Sequence, residues 1–96
     1  MSDELTKGEI VHEIAVLLGV PTPRMSTGST EPREIFDLVN DSLGLGVVAT
    51  TKPDLAKGIV EASGERWLPD FDSRGGTVTK DGLLAVLRSV RFFVGG

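Results

Sequence analysis

The sequence has no cysteine, one histidine and one tryptophan among its 96 residues. Without cysteine there is neither a disulfide framework nor a thiolate metal site, so the chain suits a reducing compartment and must hold its fold by packing alone. The single histidine, His12, sits beside Glu13 in a helical pattern. It reads as a surface or boundary residue and not as a general base, and it excludes a histidine-rich metal cluster. There is no Gly-x-Ser-x-Gly elbow and no glycine-rich phosphate loop with its lysine. No apolar run approaches the roughly 20 residues of a membrane-spanning helix, and the acidic start Met-Ser-Asp-Glu lacks the basic residues of a signal peptide. These absences predict a soluble, cytoplasmic chain that needs no cofactor, holds no metal, meets no membrane and is not itself an enzyme.

What is present is a globular balance, 40% hydrophobic and 25% charged, enough for one domain over residues 1–96 with a single small core. The net charge of −4 is unevenly spread. Residues 1–51 carry three Lys/Arg and eight Asp/Glu, and residues 52–96 carry seven and six, so the halves stand at −5 and +1. Any basic face belongs to the second half.

Periodicity predicts four helices. The first spans Lys7 to Leu18, opened by a capping box of Thr6 with Glu9, with Ile10, Val11, Ile14, Leu17 and Leu18 inward and Gly19 as its stop. Val20 to Pro23 is extended, and Met25 to Thr30 is a loop. The second helix starts at Glu31 or Pro32 under a Thr30 cap and ends at Leu43, burying Ile35, Phe36, Leu38, Val39 and Leu43. Gly44 offers a left-handed C-terminal position. The connector Leu45 to Ala49 is too short and apolar to be a free loop and is expected to pack. The third helix, Pro53 to Ala62, has Thr51 as its cap, Asp54 completing a capping box, and Leu55, Ile59 and Val60 inward, and Gly64 closes it. Trp67 and Leu68 are expected to cover the core, with stacking on a base or peptide as the other role for Trp67. Thr79 caps a fourth helix, Lys80 to about Val90, with Leu83, Leu84, Val86, Leu87 and Val90 inward and Phe92-Phe93 beyond it. The fold class is therefore all-α, a four-helix domain with at most one very short two-stranded contact, placed between 46–49 and 76–78.

Three helices open alike, at Thr6-Lys7, Thr51-Lys52 and Thr79-Lys80, each followed by Leu or Ile at helical spacing. The spacings of 45 and 28 residues rule against a solenoid. Threonine is a good cap and the apolar positions are core, which accounts for the pattern by itself. The alternative is that each helix start, with its open N–H groups and a lysine, receives an external anion. Asp70, Asp72, Gly75 and Asp81 partly imitate a calcium loop. Arg74 stands where an oxygen ligand belongs and Asp81 is shorter than the usual glutamate, so Asp70 and Asp72 read as turn formers.

From Leu43 onward the order apolar helix, Gly-Leu, short connector, Thr51-Lys52, then Leu55 and Ile59 resembles a SAP-type DNA-binding motif, over about a quarter of the chain. That resemblance implies a helix-turn-helix at the centre of the domain, with Thr51 and Lys52 presenting a helix N-terminus and an ammonium to the DNA backbone. Gly58 stands where that family usually carries an arginine or lysine. A second resemblance uses Thr27-Gly28-Ser29-Thr30, Lys52-Pro53-Asp54-Leu55, Trp67 and Gly76 to Leu83. It is similar to an N-terminal helical domain of bacterial or archaeal restriction endonucleases, including HNH-type ones, and implies a non-catalytic targeting domain with the nuclease beyond Gly96.

Together these readings predict a DNA-binding accessory domain of a restriction or DNA-processing enzyme. Thr51, Lys52, Lys57, Arg74, Thr79 and Lys80 would touch the phosphates of duplex DNA, weakly and salt-sensitively. The alternative is a protein-interaction module whose acidic first two helices, or an exposed Phe92-Phe93 end, dock a protein partner, an attached nuclease domain or a second copy. Charge placement discriminates the two. Basic residues gathered on one face of the last two helices favour DNA, and Glu61, Asp70, Asp72 and Asp81 interrupting that face favour a protein.

Overall fold

The computed structural model describes residues 5–23, 33–73 and 76–95. The Met25 to Thr30 loop, the Thr30 cap, the Glu31 or Pro32 start, Arg74 and Gly75 lie outside the described residues. Four helices follow one another: α1 (Lys7–Leu18), α2 (Arg33–Leu43), α3 (Lys52–Ala62) and α4 (Lys80–Gly95). Each packs on the next, and α4 returns to pack extensively on α1, so the helices close a ring around one core. No helix among the described residues is long and apolar enough to cross a membrane.

The local chemistry explains the boundaries. At α1 both arms of the capping box form: Thr6 Oγ1 accepts from the Glu9 N–H at 3.1 Å, and Glu9 Oε1 accepts from the Thr6 N–H at 2.8 Å. Gly19 takes φ 72°, a left-handed stop that a side chain would strain. At α3 only one arm forms, the Asp54 N–H donating to Thr51 Oγ1 at 3.3 Å. The expected second arm is missing because aspartate is a methylene shorter than the glutamate that completes a box. Thr79 Oγ1 accepts from the Gly82 N–H at 2.9 Å and so caps α4. That helix runs five residues past the expected Val90, since nothing from Arg91 to Val94 breaks it.

The core takes Ile10, Ile14, Ile35, Phe36, Leu55, Ile59, Leu83 and Val86 to essentially zero exposure. Leu17, Leu18, Leu43 and Leu84, expected inside, sit half-buried at its margin. Ser89 is the one buried polar side chain among the described residues, and its hydroxyl meets Ser63 Oγ at 3.0 Å. Trp67 and Leu68 do not cover the core: they are 36% and 45% exposed. Phe71 fills that place instead, seated with Val78 against bare Gly82, where a Cβ would come within 2.8 Å of the Phe71 ring.

The two-stranded contact expected between 46–49 and 76–78 does not form; the described residues hold no strand, and an isolated bridge elsewhere engages Val78. Val78 pairs antiparallel with Asp72, not with 46–49. The Ser73 N–H reaches the Thr77 carbonyl and the Thr79 N–H reaches the Phe71 carbonyl, both at 3.0 Å. Asp70 acts as a turn former, its Oδ1 accepting from the Asp72 N–H at 3.2 Å.

Candidate interaction surfaces

Among the described residues, the predicted phosphate contacts do not gather into one basic face. Lys57 is exposed, but the groove it lines also carries Asp54, Asp70 and Asp72. Thr79 borders the same turn, its hydroxyl donating to the Asp70 carbonyl. Lys80 instead lies toward α1, near Glu9, whose carboxyl is held below the usual carboxylate range chiefly by the Thr6 N–H, then by the Thr6 hydroxyl, with the Lys80 charge a smaller contribution. Thr51 spends its hydroxyl on its own helix, and Lys52 is half-buried at the start of α3. Glu9, Asp54 and Asp81 stand in the first turns of α1, α3 and α4. The three alike helix starts therefore already carry a carboxylate against the helix dipole, which is how such ends are ordinarily compensated.

The connector between α2 and α3 is stitched down on both sides. Asn40 acts as a backbone substitute: its Nδ2 donates to the Val47 carbonyl at 2.7 Å and its Oδ1 accepts from the Val47 N–H at 2.9 Å. Arg33 donates to the carbonyls of Ala49 at 2.9 Å and Thr50 at 2.8 Å. Leu45, Val47 and Ala49 pack against the core as expected, while Val48 is 97% exposed. Val47 lies directly on Gly58, where a Cβ would meet its Cγ1 at 2.5 Å. A side chain at position 58 would therefore require the Val47 side chain to shift.

Sequence reasoning missed the surface built around Arg88. Its guanidinium stands over the Trp67 ring at 5.3 Å from the centroid, and its Nη2 pairs with Glu65 Oε2 at 3.4 Å. Glu65 Oε1 accepts the N–H groups of Arg66 at 3.0 Å and Trp67 at 3.2 Å. The Trp67 N–H chiefly holds the Glu65 carboxyl below the usual range; burial opposes it, and the Arg88 charge and the Arg66 N–H add smaller lowering effects. Phe92, one turn beyond Arg88, is 62% exposed and shares a shallow dimple with Glu65 and Arg88. Two signals for it were present in the sequence. Arg88 and Phe92 fall on the polar stripe of α4 at i, i+4, and Trp67 lies between charged Glu65-Arg66 and Pro69.

His12 Nδ1 is 2.8 Å from Thr22 Oγ1 on the exposed side of α1, where it ties down the segment after Gly19. Among the described residues no three His, Asp or Glu side chains come together as a metal site. Compared with models of protein families, with curated proteins and with solved structures, the chain has no significant match.

Proposed function

We propose that this chain is a non-catalytic accessory module that acts by binding another protein. One observation carries the reading: Trp67, Arg88 and Phe92 form a contiguous exposed surface in which the arginine is already oriented by a ring and a carboxylate. Aromatic residues and arginine are the types enriched where protein interfaces concentrate their binding energy. The carboxylates around Lys57 support the same choice over nucleic acid. A benzoylphenylalanine photo-crosslinker at position 92, in cells that naturally make the chain, should join a discrete partner, and Trp67→Ala should remove that product. Crosslinks no different from those of a probe at Val16, exposed on α1, would refute the reading.

A second reading, a DNA-binding accessory domain of a restriction or HNH-type enzyme, is supported by the start of α3. Thr51 caps that helix, Lys52 opens it, and Leu55 and Ile59 follow inward, in the order that the SAP-type resemblance implies. Phosphate contacts alone give dissociation constants of about 10⁻⁴ to 10⁻⁶ M. On this reading Lys52→Glu weakens binding to all duplexes alike and flattens the salt slope by about one unit, and Lys7→Glu does less. An amide NMR titration with duplex at low salt decides it: shifts centred on residues 51–58 sustain DNA, and none at high micromolar duplex dismisses it.

A further inference from the structure

We infer that the groove between the α2–α3 connector and α3 receives a basic, extended segment of a partner protein, with an apolar side chain against Val48 and cationic side chains at Asp54 and Glu61. This groove shares no residue with the Trp67 surface. It holds about 550 Å³, and its walls include Val47, Val48, Asp54, Gly58 and Glu61. Two carboxylates line it and no cationic side chain does. Among the described residues neither Asp54 nor Glu61 forms an ion pair. Arg33, which holds the connector from α2, is engaged by Asp37 and by the carbonyls of Ala49 and Thr50. Lys57 lines a separate groove that Asp54 shares with Asp70 and Asp72. The helix itself adds to the demand for a cation. Asp54 in the first turn offsets the helix dipole, but Glu61 stands in the last turn of α3, which carries no basic residue. There the carboxylate and the negative end of the helix both favour an external cation.

The connector selects an extended occupant. Leu45, Val47 and Ala49 pack toward the core while Gly46, Val48 and Thr50 are exposed, which is the alternation of an extended chain. Asn40 pins Val47 and Arg33 pins Ala49, so Val48, 97% exposed, is held outward on a fixed backbone. That fixation lowers the ordering cost of binding. The Val48 N–H and carbonyl meet no partner among the described residues and are open to main-chain pairing with an added strand. Asp54 and Glu61 are seven positions apart on α3, about 10.5 Å along its axis, a distance that about three residues of extended chain span. A segment with two basic residues three apart and a β-branched residue between them therefore meets both carboxylates and the valine. Nucleic acid is disfavoured, since the same carboxylates repel phosphate. In a second copy Arg88 and Arg91 have that spacing, but they lie on α4 with Ser89 and Val90 buried between them.

The test is an amide NMR titration of the whole chain with two capped peptides, Gly-Arg-Val-Val-Arg-Gly and Gly-Glu-Val-Val-Glu-Gly. The basic peptide should shift residues 47–50, 54, 58 and 61 and bind at least tenfold more tightly than the acidic one. Glu61→Gln and Val48→Ser, both at exposed positions, should each weaken it at least threefold with helix content unchanged. No shift at millimolar basic peptide, equal binding of the acidic peptide, or unaltered binding by both variants would overturn the inference. Spermidine giving the same shifts at the same affinity would reduce the groove to a charge site and also overturn it. So would shifts confined to residues 65–68 and 88–92, which would place the peptide on the Trp67 surface, or shifts reproduced by raising the protein concentration alone, which would assign the groove to a second copy. The position-92 crosslink judges the Trp67 surface separately.

Discussion

Gly58 shows how one absent side chain can fix an arrangement. Glycine inside a helix costs about 1 kcal/mol relative to alanine, so its presence on α3 needs a reason, and Val47 at 2.5 Å from a virtual Cβ supplies one. Overpacking typically costs about 1–3 kcal/mol. Gly58→Ala should therefore be neutral to destabilising in the natural chain, yet stabilising by about 1 kcal/mol once Val47→Ala has cleared the space. Urea denaturation of the four members of this cycle measures it, and a stabilising Gly58→Ala in the presence of Val47 would mean that the two do not touch.

The helices were legible because each carries its own signals: Thr6 with Glu9, Gly19, Gly44 and the apolar spacing of Leu55, Ile59, Leu83 and Val86. The elements between them were not. Whether Trp67 or Phe71 turns inward depends on the seat that Gly82 and Val78 make, and nothing within the loop itself encodes that seat. The role of Asn40 was equally hidden, since it bonds a residue seven positions away across a turn. The candidate site followed suit, as Lys57 and its helical neighbour Asp54 could be named from sequence whereas Asp70 and Asp72 reach them through tertiary packing. For the connector, Asn40→Ala removes two hydrogen bonds worth about 0.5–1.5 kcal/mol each. A loss of about 1–3 kcal/mol, with faster amide exchange at Val47, is the expected result. Unchanged exchange there would show that Arg33 and packing hold the connector unaided.

At the scale of the molecule, two glutamates among the described residues contribute to the response to acid. Glu9 and Glu65 both titrate below the ordinary carboxylate range when folded, the first chiefly through the Thr6 N–H and the second through the Trp67 N–H. The unfolded chain, with ordinary carboxyls near about pH 4.3, takes up these protons first. Their stabilisation is therefore complete above that range and is lost as pH falls through the lowered folded values. Urea midpoints by far-ultraviolet circular dichroism should decline below about pH 4.5, and less steeply in the double variant Glu9→Gln, Glu65→Gln; equal slopes would place the acid sensitivity elsewhere. The position of Trp67 has a practical corollary for such work. The sole indole lies outside the core, half in water and under a guanidinium, so intrinsic fluorescence is a gauge of one loop's attachment to α4. A fluorescence melt would follow that local detachment, and only a backbone signal would follow the collapse of the ring of helices.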